Sequence, residues 1–91
     1  MSAKIHITGN DTHGPISVKG PCSISFSGSF GGGSIAINRK TPTGSVALRD
    51  NGTAITITSA DDSYYNVGPG TALELVMSGA TSPDVRAEIA D

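Results

Sequence analysis

The chain has 91 residues, a formal net charge of −2, only 15% charged residues and a single cysteine, Cys22. That length makes one domain, residues 1–91, with a thin core, and a lone cysteine excludes an internal disulfide as its brace, which leaves oligomerisation as the support. The basic residues Lys4, Lys19, Arg39, Lys40, Arg49 and Arg86 are scattered rather than gathered into a stripe for nucleic acid, and the apolar runs are too short for a membrane helix.

Along the chain, apolar residues recur at intervals of two. Ile5 and Ile7 flank His6 in the opening MSAKIHI, which has no signal-peptide core, so the protein is expected to stay in the cytosol where it is made, a compartment where an unpaired thiol is at home. Ile16 and Val18 follow, then Cys22, Ile24 and Phe26 with serines between them. Next come Ile35 and Ile37, Val46 and Leu48, Ile55 and Ile57, Tyr65 and Val67. Leu73, Leu75 and Met77 precede a last run of Val85, Ala87 and Ile89. Period two marks half-buried strands with one apolar and one polar face. Residues 1–20 are either two ordinary strands or a docking arm, in which KIHI or ISVK adds to a partner's sheet; residues 21–91 form the body.

The intervals between these runs are rich in Gly, Pro, Asn, Asp and Ser, the residues of tight turns. Asn51-Gly52 between two alternating runs predicts a type I′ hairpin. Gly68 and Gly70 bracket Pro69 in another turn. The stretch SGSFGGG, with Gly31, Gly32 and Gly33, resembles a phosphate loop only until its sequel is read. A phosphate loop opens a helix, whereas SIAINR alternates as a strand, so the glycines make a turn with close backbone approach. Phe30 in that turn either caps the core or packs on a neighbouring subunit. The predicted fold is all-β, a small antiparallel β-sandwich or barrel of about eight to nine short strands.

SGSFGGGSIAINR, followed by the Asn-Gly hairpin and then SYYNVGPGTALELVMSGATSPDVRAEI, resembles the small virion structural proteins of tailed bacteriophages, from Ser27 to Ala90. It departs from their pattern at Val46-Ala47-Leu48, where a Trp is usual, and at Leu73-Glu74-Leu75, where an Arg is common. The resemblance implies a capsid decoration (cement) protein on the virion surface. It also implies a homotrimer whose partner is the major capsid protein of the shell. The alternative it implies is a carbohydrate- or receptor-binding module of a head or tail fibre, partnered by other fibre or tail proteins or a surface glycan.

Chemistry-bearing residues are few. His6 and His13 are separated by a turn and read as surface histidines, not a metal pair. Cys22 is in phase with the apolar residues of its strand, a small buried side chain. Asp61-Asp62 lacks the ordered spacing of a calcium loop and reads as a solvated turn. Tyr64 and Tyr65 are neighbours on a strand, so one faces the core and the other solvent. No catalytic set, cofactor motif or metal cage can be assembled, and the expectation is a non-enzymatic protein. Its candidate subunit or shell contacts are Phe30, Tyr64, Ile5 and Ile7.

Overall fold

A computed structural model describes residues 2–50 and 52–91, which form eleven strands and, among those residues, no helix. The strands are β1 (Ser2–Ile7), β2 (Thr12–Ser17), β3 (Cys22–Ser29), β4 (Ser34–Thr41), β5 (Gly44–Ala47), β6 (Arg49–Asp50), β7 (Thr53–Ala54), β8 (Thr56–Ile57), β9 (Asp61–Tyr65), β10 (Ala72–Ser78) and β11 (Asp84–Ala90). One sheet has the order β1-β11-β3-β9. The other has the order β2-β10-β4-β5, with β8 also on β4, and β6-β7 is a separate ribbon.

Four of these labels, β5 to β8, describe less than they suggest. β5 pairs Ala47 with Asn38, Leu48 N–H donates to Ile37 O, and β8 resumes with Thr56 opposite Ala36 and Ile57 opposite Ile35. Together β5 and β8 form one edge strand, interrupted where the β6–β7 hairpin loops out between Leu48 and Ile55. The result is a sandwich of four strands on four, plus a hairpin. This is the all-β architecture expected from the alternation.

The period-two pattern builds the core directly. Ile24 on β3, Val85 and Ile89 on β11, Ile35 and Ile37 on β4, and Leu73, Leu75 and Met77 on β10 are at most 1% exposed. They point inward from the two central strand pairs, where each strand has a neighbour on both sides. Cys22 joins them in phase, and burial, helped by the charge of Asp91, pushes its thiol pKa up.

The glycine stretch is where the two sheets are joined. Gly33 N–H donates to Phe30 O at 3.0 Å, and φ is +59° at Gly31 and +79° at Gly32, the type I′ signature. This turn carries the chain from β3 in one sheet to β4 in the other. A Cβ on Gly31 would lie 2.2 Å from Thr81 O, and one on Gly33 would lie 2.6 Å from Ser78 O. Backbone therefore packs on backbone between this turn and the β10–β11 connection. Asn10 ties the same connection to the β1–β2 turn, its Nδ2 donating to Ala80 O and its Oδ1 accepting from Ala80 N–H. Phe30 is 7% exposed within this cluster, so it caps the core and is not a surface contact.

Several other expectations are corrected here. Of the two readings of the N-terminal segment, two ordinary strands and an arm, the pairings give the strands: β1 pairs along its length with β11 and β2 pairs with β10, one edge strand for each sheet. Ile7 is fully buried and Ile5 packs against the core, because both lie on the inner face of β1. Asp61 and Asp62 are strand residues, not turn residues, and β9 starts with them. The β6–β7 register leaves two residues between Asp50 and Thr53, as a two-residue hairpin requires, and Gly52 has φ +80°. Asn51 itself lies outside the described residues. Gly68 and Gly70 form a turn as expected: Thr71 N–H and hydroxyl both donate to Gly68 O, and Gly70 has φ +76° after Pro69, as in a type II turn.

Candidate functional site

The two outer faces of the sandwich differ in chemistry, and strand register places their residues. On the β1-β11-β3-β9 sheet, Lys4 lies opposite Glu88, Glu88 opposite Ser25, and Ser25 opposite Asp62. In the next row His6 lies opposite Arg86, and Arg86 opposite Ser27. In the row on the other side Ser23 lies opposite Tyr64. Serines alternating with Cys22, Ile24 and Phe26 thus become a polar column down the middle of this face, with longer charged side chains beside it. A shallow depression of about 320 Å³ sits here, lined by Lys4, His6, Ser25, Ser27, Arg86 and Glu88, and also by Ile5 and Ala87.

Ion pairs organise the rim. Lys4 Nζ is 3.9 Å from Glu88 Oε2, and His6 Nε2 is 2.6 Å from Asp84 Oδ1. The His6 hydrogen bond is the main reason that the Asp84 carboxyl sits below its ordinary pKa, with the positive charges of His6 and Arg86 acting in the same direction. Asp91, at the other end of β11, is also held low, chiefly by accepting the backbone N–H of Lys19.

The other outer face, on β2-β10-β4-β5/β8, is built from small and uncharged side chains. Val76 lies opposite Ala36 and Thr12, and Ala36 opposite Thr56. Glu74 lies opposite Asn38, which lies opposite Ala47. Glu74 is only 9% exposed and accepts the hydroxyl of Ser45. Lys40 is the one exposed charge on this face within the strands.

Of the side chains expected as contacts, only Tyr64 presents itself to solvent, at 70% exposed, while its neighbour Tyr65 is buried at 8%. Tyr64 stands on the charged face at the end of the serine column, whereas Phe30, Ile5 and Ile7 belong to the interior. Val46, 58% exposed on the split edge strand, is a second exposed apolar side chain, and sequence reading placed it in the core. It lies opposite Arg39 on β4, which is itself exposed. The serine column and Arg86 escaped sequence reading altogether, since serines between apolar residues look like any solvated strand face. The side-by-side placement of Ser25, Ser27 and Arg86 arises only from pairing β3 with a strand about sixty residues later. Among the described residues, no three His, Cys, Asp or Glu side chains gather as a metal cage would require.

Comparison of the chain with protein-family models, characterised proteins and solved structures returned no match.

Proposed function

We propose that the chain is a virion structural protein of the capsid-decoration type, attached to an assembled shell through the outer face of the β2-β10-β4-β5/β8 sheet. The observation that carries this reading is the unequal division of charge between the two faces. The centres of protein interfaces are depleted of charged side chains, because each unpaired charge removed from water costs more than apolar contact returns. Ala36, Ala47, Val76, Thr12 and Thr56 make an uncharged patch of that kind, and Glu74 within it already has its Ser45 partner. The opposite face, with Lys4, His6, Asp84, Arg86 and Glu88, suits exposure to water.

The resemblance of Ser27–Ala90 to small phage virion proteins supplies the partner, the major capsid protein, and the expected homotrimeric form. A trimer contacts several shell subunits at once, so weak single contacts combine through effective concentration. The test is co-sedimentation with purified, emptied shells. The wild-type protein is expected to pellet with shells, while Val76→Lys and Ala47→Glu, which leave the core intact, abolish pelleting at an unchanged melting temperature. If both variants still pellet, the docking face is wrong. If the wild-type protein binds tails and not shells, the fibre reading replaces decoration.

A further inference from the structure

We infer that the depression on the β1-β11-β3 surface is a binding site for a carboxylate-bearing sugar residue, with Arg86 receiving the carboxylate. Side-chain pairing within the depression singles out that side chain. Of its basic side chains, Lys4 lies 3.9 Å from Glu88 and His6 is hydrogen-bonded to Asp84 at 2.6 Å. Arg86 projects between these pairs, opposite His6 on one side and Ser27 on the other. Its guanidinium makes no hydrogen bond or ion pair among the described residues. Asp84 feels its charge, but that carboxylate is already committed to His6. A planar fork of donors left without an acceptor is the group best suited to a carboxylate, which it holds through two parallel hydrogen bonds.

The rest of the surface specifies what carries the carboxylate. Ser25 and Ser27 present two hydroxyls on the same face, two residues apart, and each hydroxyl can both donate and accept. The ring hydroxyls of a saccharide have the same dual character. The depression, at about 320 Å³, is at the small end of ligand sites, the scale of one or two sugar units rather than a folded partner. From Ser25 the column continues to Ser23, which lies opposite Tyr64. A 70%-exposed aromatic ring there is a platform on which the apolar face of a second sugar can stack. A guanidinium, a row of hydroxyls and an open aromatic ring, in that order along β3, match an oligosaccharide laid along the strand with its carboxylate at the Arg86 end, because Glu88 and Asp62 flank Ser25 further along. This site lies on the face opposite the proposed shell contact, and its test needs no shell, so the two readings fail separately.

The experiment is a titration of isotope-labelled protein followed by amide chemical shifts. The ligands are glucuronate, N-acetylneuraminate and a trisaccharide that ends in one glucuronate, with glucose, acetate, inorganic phosphate and triglutamate as controls. Saturable shifts in β1, β11 and β3, reaching Tyr64 on β9 for the trisaccharide, are expected for the carboxylated sugars, weaker for acetate and absent for glucose. Arg86→Gln is expected to weaken binding about tenfold or more, as loss of a charge-assisted pair does. Ser25→Ala combined with Ser27→Ala, which keeps the charge, should weaken sugar binding and leave acetate unchanged. Tyr64→Ala should reduce affinity for the trisaccharide and not for the monosaccharide. The labelled spectra report directly that each variant is folded. Equal affinity for acetate or phosphate, equal affinity for glucose, tighter binding of triglutamate, or indifference to Arg86→Gln each overturns the assignment.

Discussion

At Gly31 and Gly32 the same turn asks two different things of adjacent glycines. Both have positive φ, which costs an L-residue roughly 1–2 kcal/mol. Only Gly31 also faces backbone, with Thr81 O at 2.2 Å from the Cβ position, whereas Gly32 has nothing within 4 Å. Gly32→Ala is therefore expected to lower stability by about 1 kcal/mol, and Gly31→Ala by clearly more, since the β10–β11 connection must move. Urea denaturation of both variants checks the order, and equal midpoints would mean that the close approach does not hold in solution. Asp84 offers a second test at this scale. A carboxylate held below its unfolded pKa stabilises the fold above that unfolded value, near 3.8, and the contribution is lost as pH falls through the folded value. His6→Ala should raise the Asp84 titration midpoint towards 3.8, read from its carboxyl carbon shift. The melting temperatures of variant and wild type should differ above pH 4 and converge in stronger acid.

Among the elements, the edges of the two sheets explain why the N-terminal segment belongs to the sandwich. β2 carries Pro15 and a register shift opposite Leu73–Leu75, and the edge opposite it is broken by the β6–β7 hairpin. β1 presents Lys4, and β9 begins with Asp61-Asp62. Prolines, bulges, interruptions and charges are the devices that discourage one sheet from adding to another. Docking by strand addition is thus opposed at every edge, and the flat outer faces are left for recognition. β1 instead completes the core, because Ile7 is fully buried and Ala3 and Ile5 pack beside it. Deleting Ser2–Thr8 removes one side chain worth about 1.5–3 kcal/mol by burial alone, together with every β1–β11 pairing. For a domain whose total stability is of order 5 kcal/mol, the expected outcome is loss of cooperative melting by circular dichroism. A truncated chain that melts cooperatively would return the segment to the role of a detachable arm.

For the molecule as a whole, small size and the absence of any disulfide partner for Cys22 favour association. Val46 is the exposed apolar side chain outside both faces already assigned, 58% exposed at the split edge strand. The protein is expected to be a trimer by light scattering after size exclusion. Val46→Asp should weaken assembly at least about tenfold if that side chain is buried between subunits, since full burial of a valine contributes on the order of 1.5 kcal/mol or more. A monomer at micromolar concentration, with and without shells, would remove the trimer from the proposal.

Alternation at period two is a local property, so the strands, their inward residues and the all-β class were readable in the order of residues alone. Cys22, Ile24, Ile37, Leu75 and Ile89 lie inside because pleating sends every second side chain to one face. Turn chemistry was equally local at Gly31-Gly32 and at Gly68–Gly70. Which face of which sheet meets which neighbour is not local. Asp61-Asp62 has the composition of a turn and became an edge strand because β3 offered it a partner. Whether Phe30 capped the core or met a neighbouring subunit was decided only by tertiary burial, at 7% exposed. Arg86 and Ser27 are 59 positions apart and became neighbours only when β11 paired with β3. The candidate site, made of residues whose types are ordinary and whose juxtaposition is not, is therefore a product of strand pairing, which depends on long-range register rather than on any short stretch of chain.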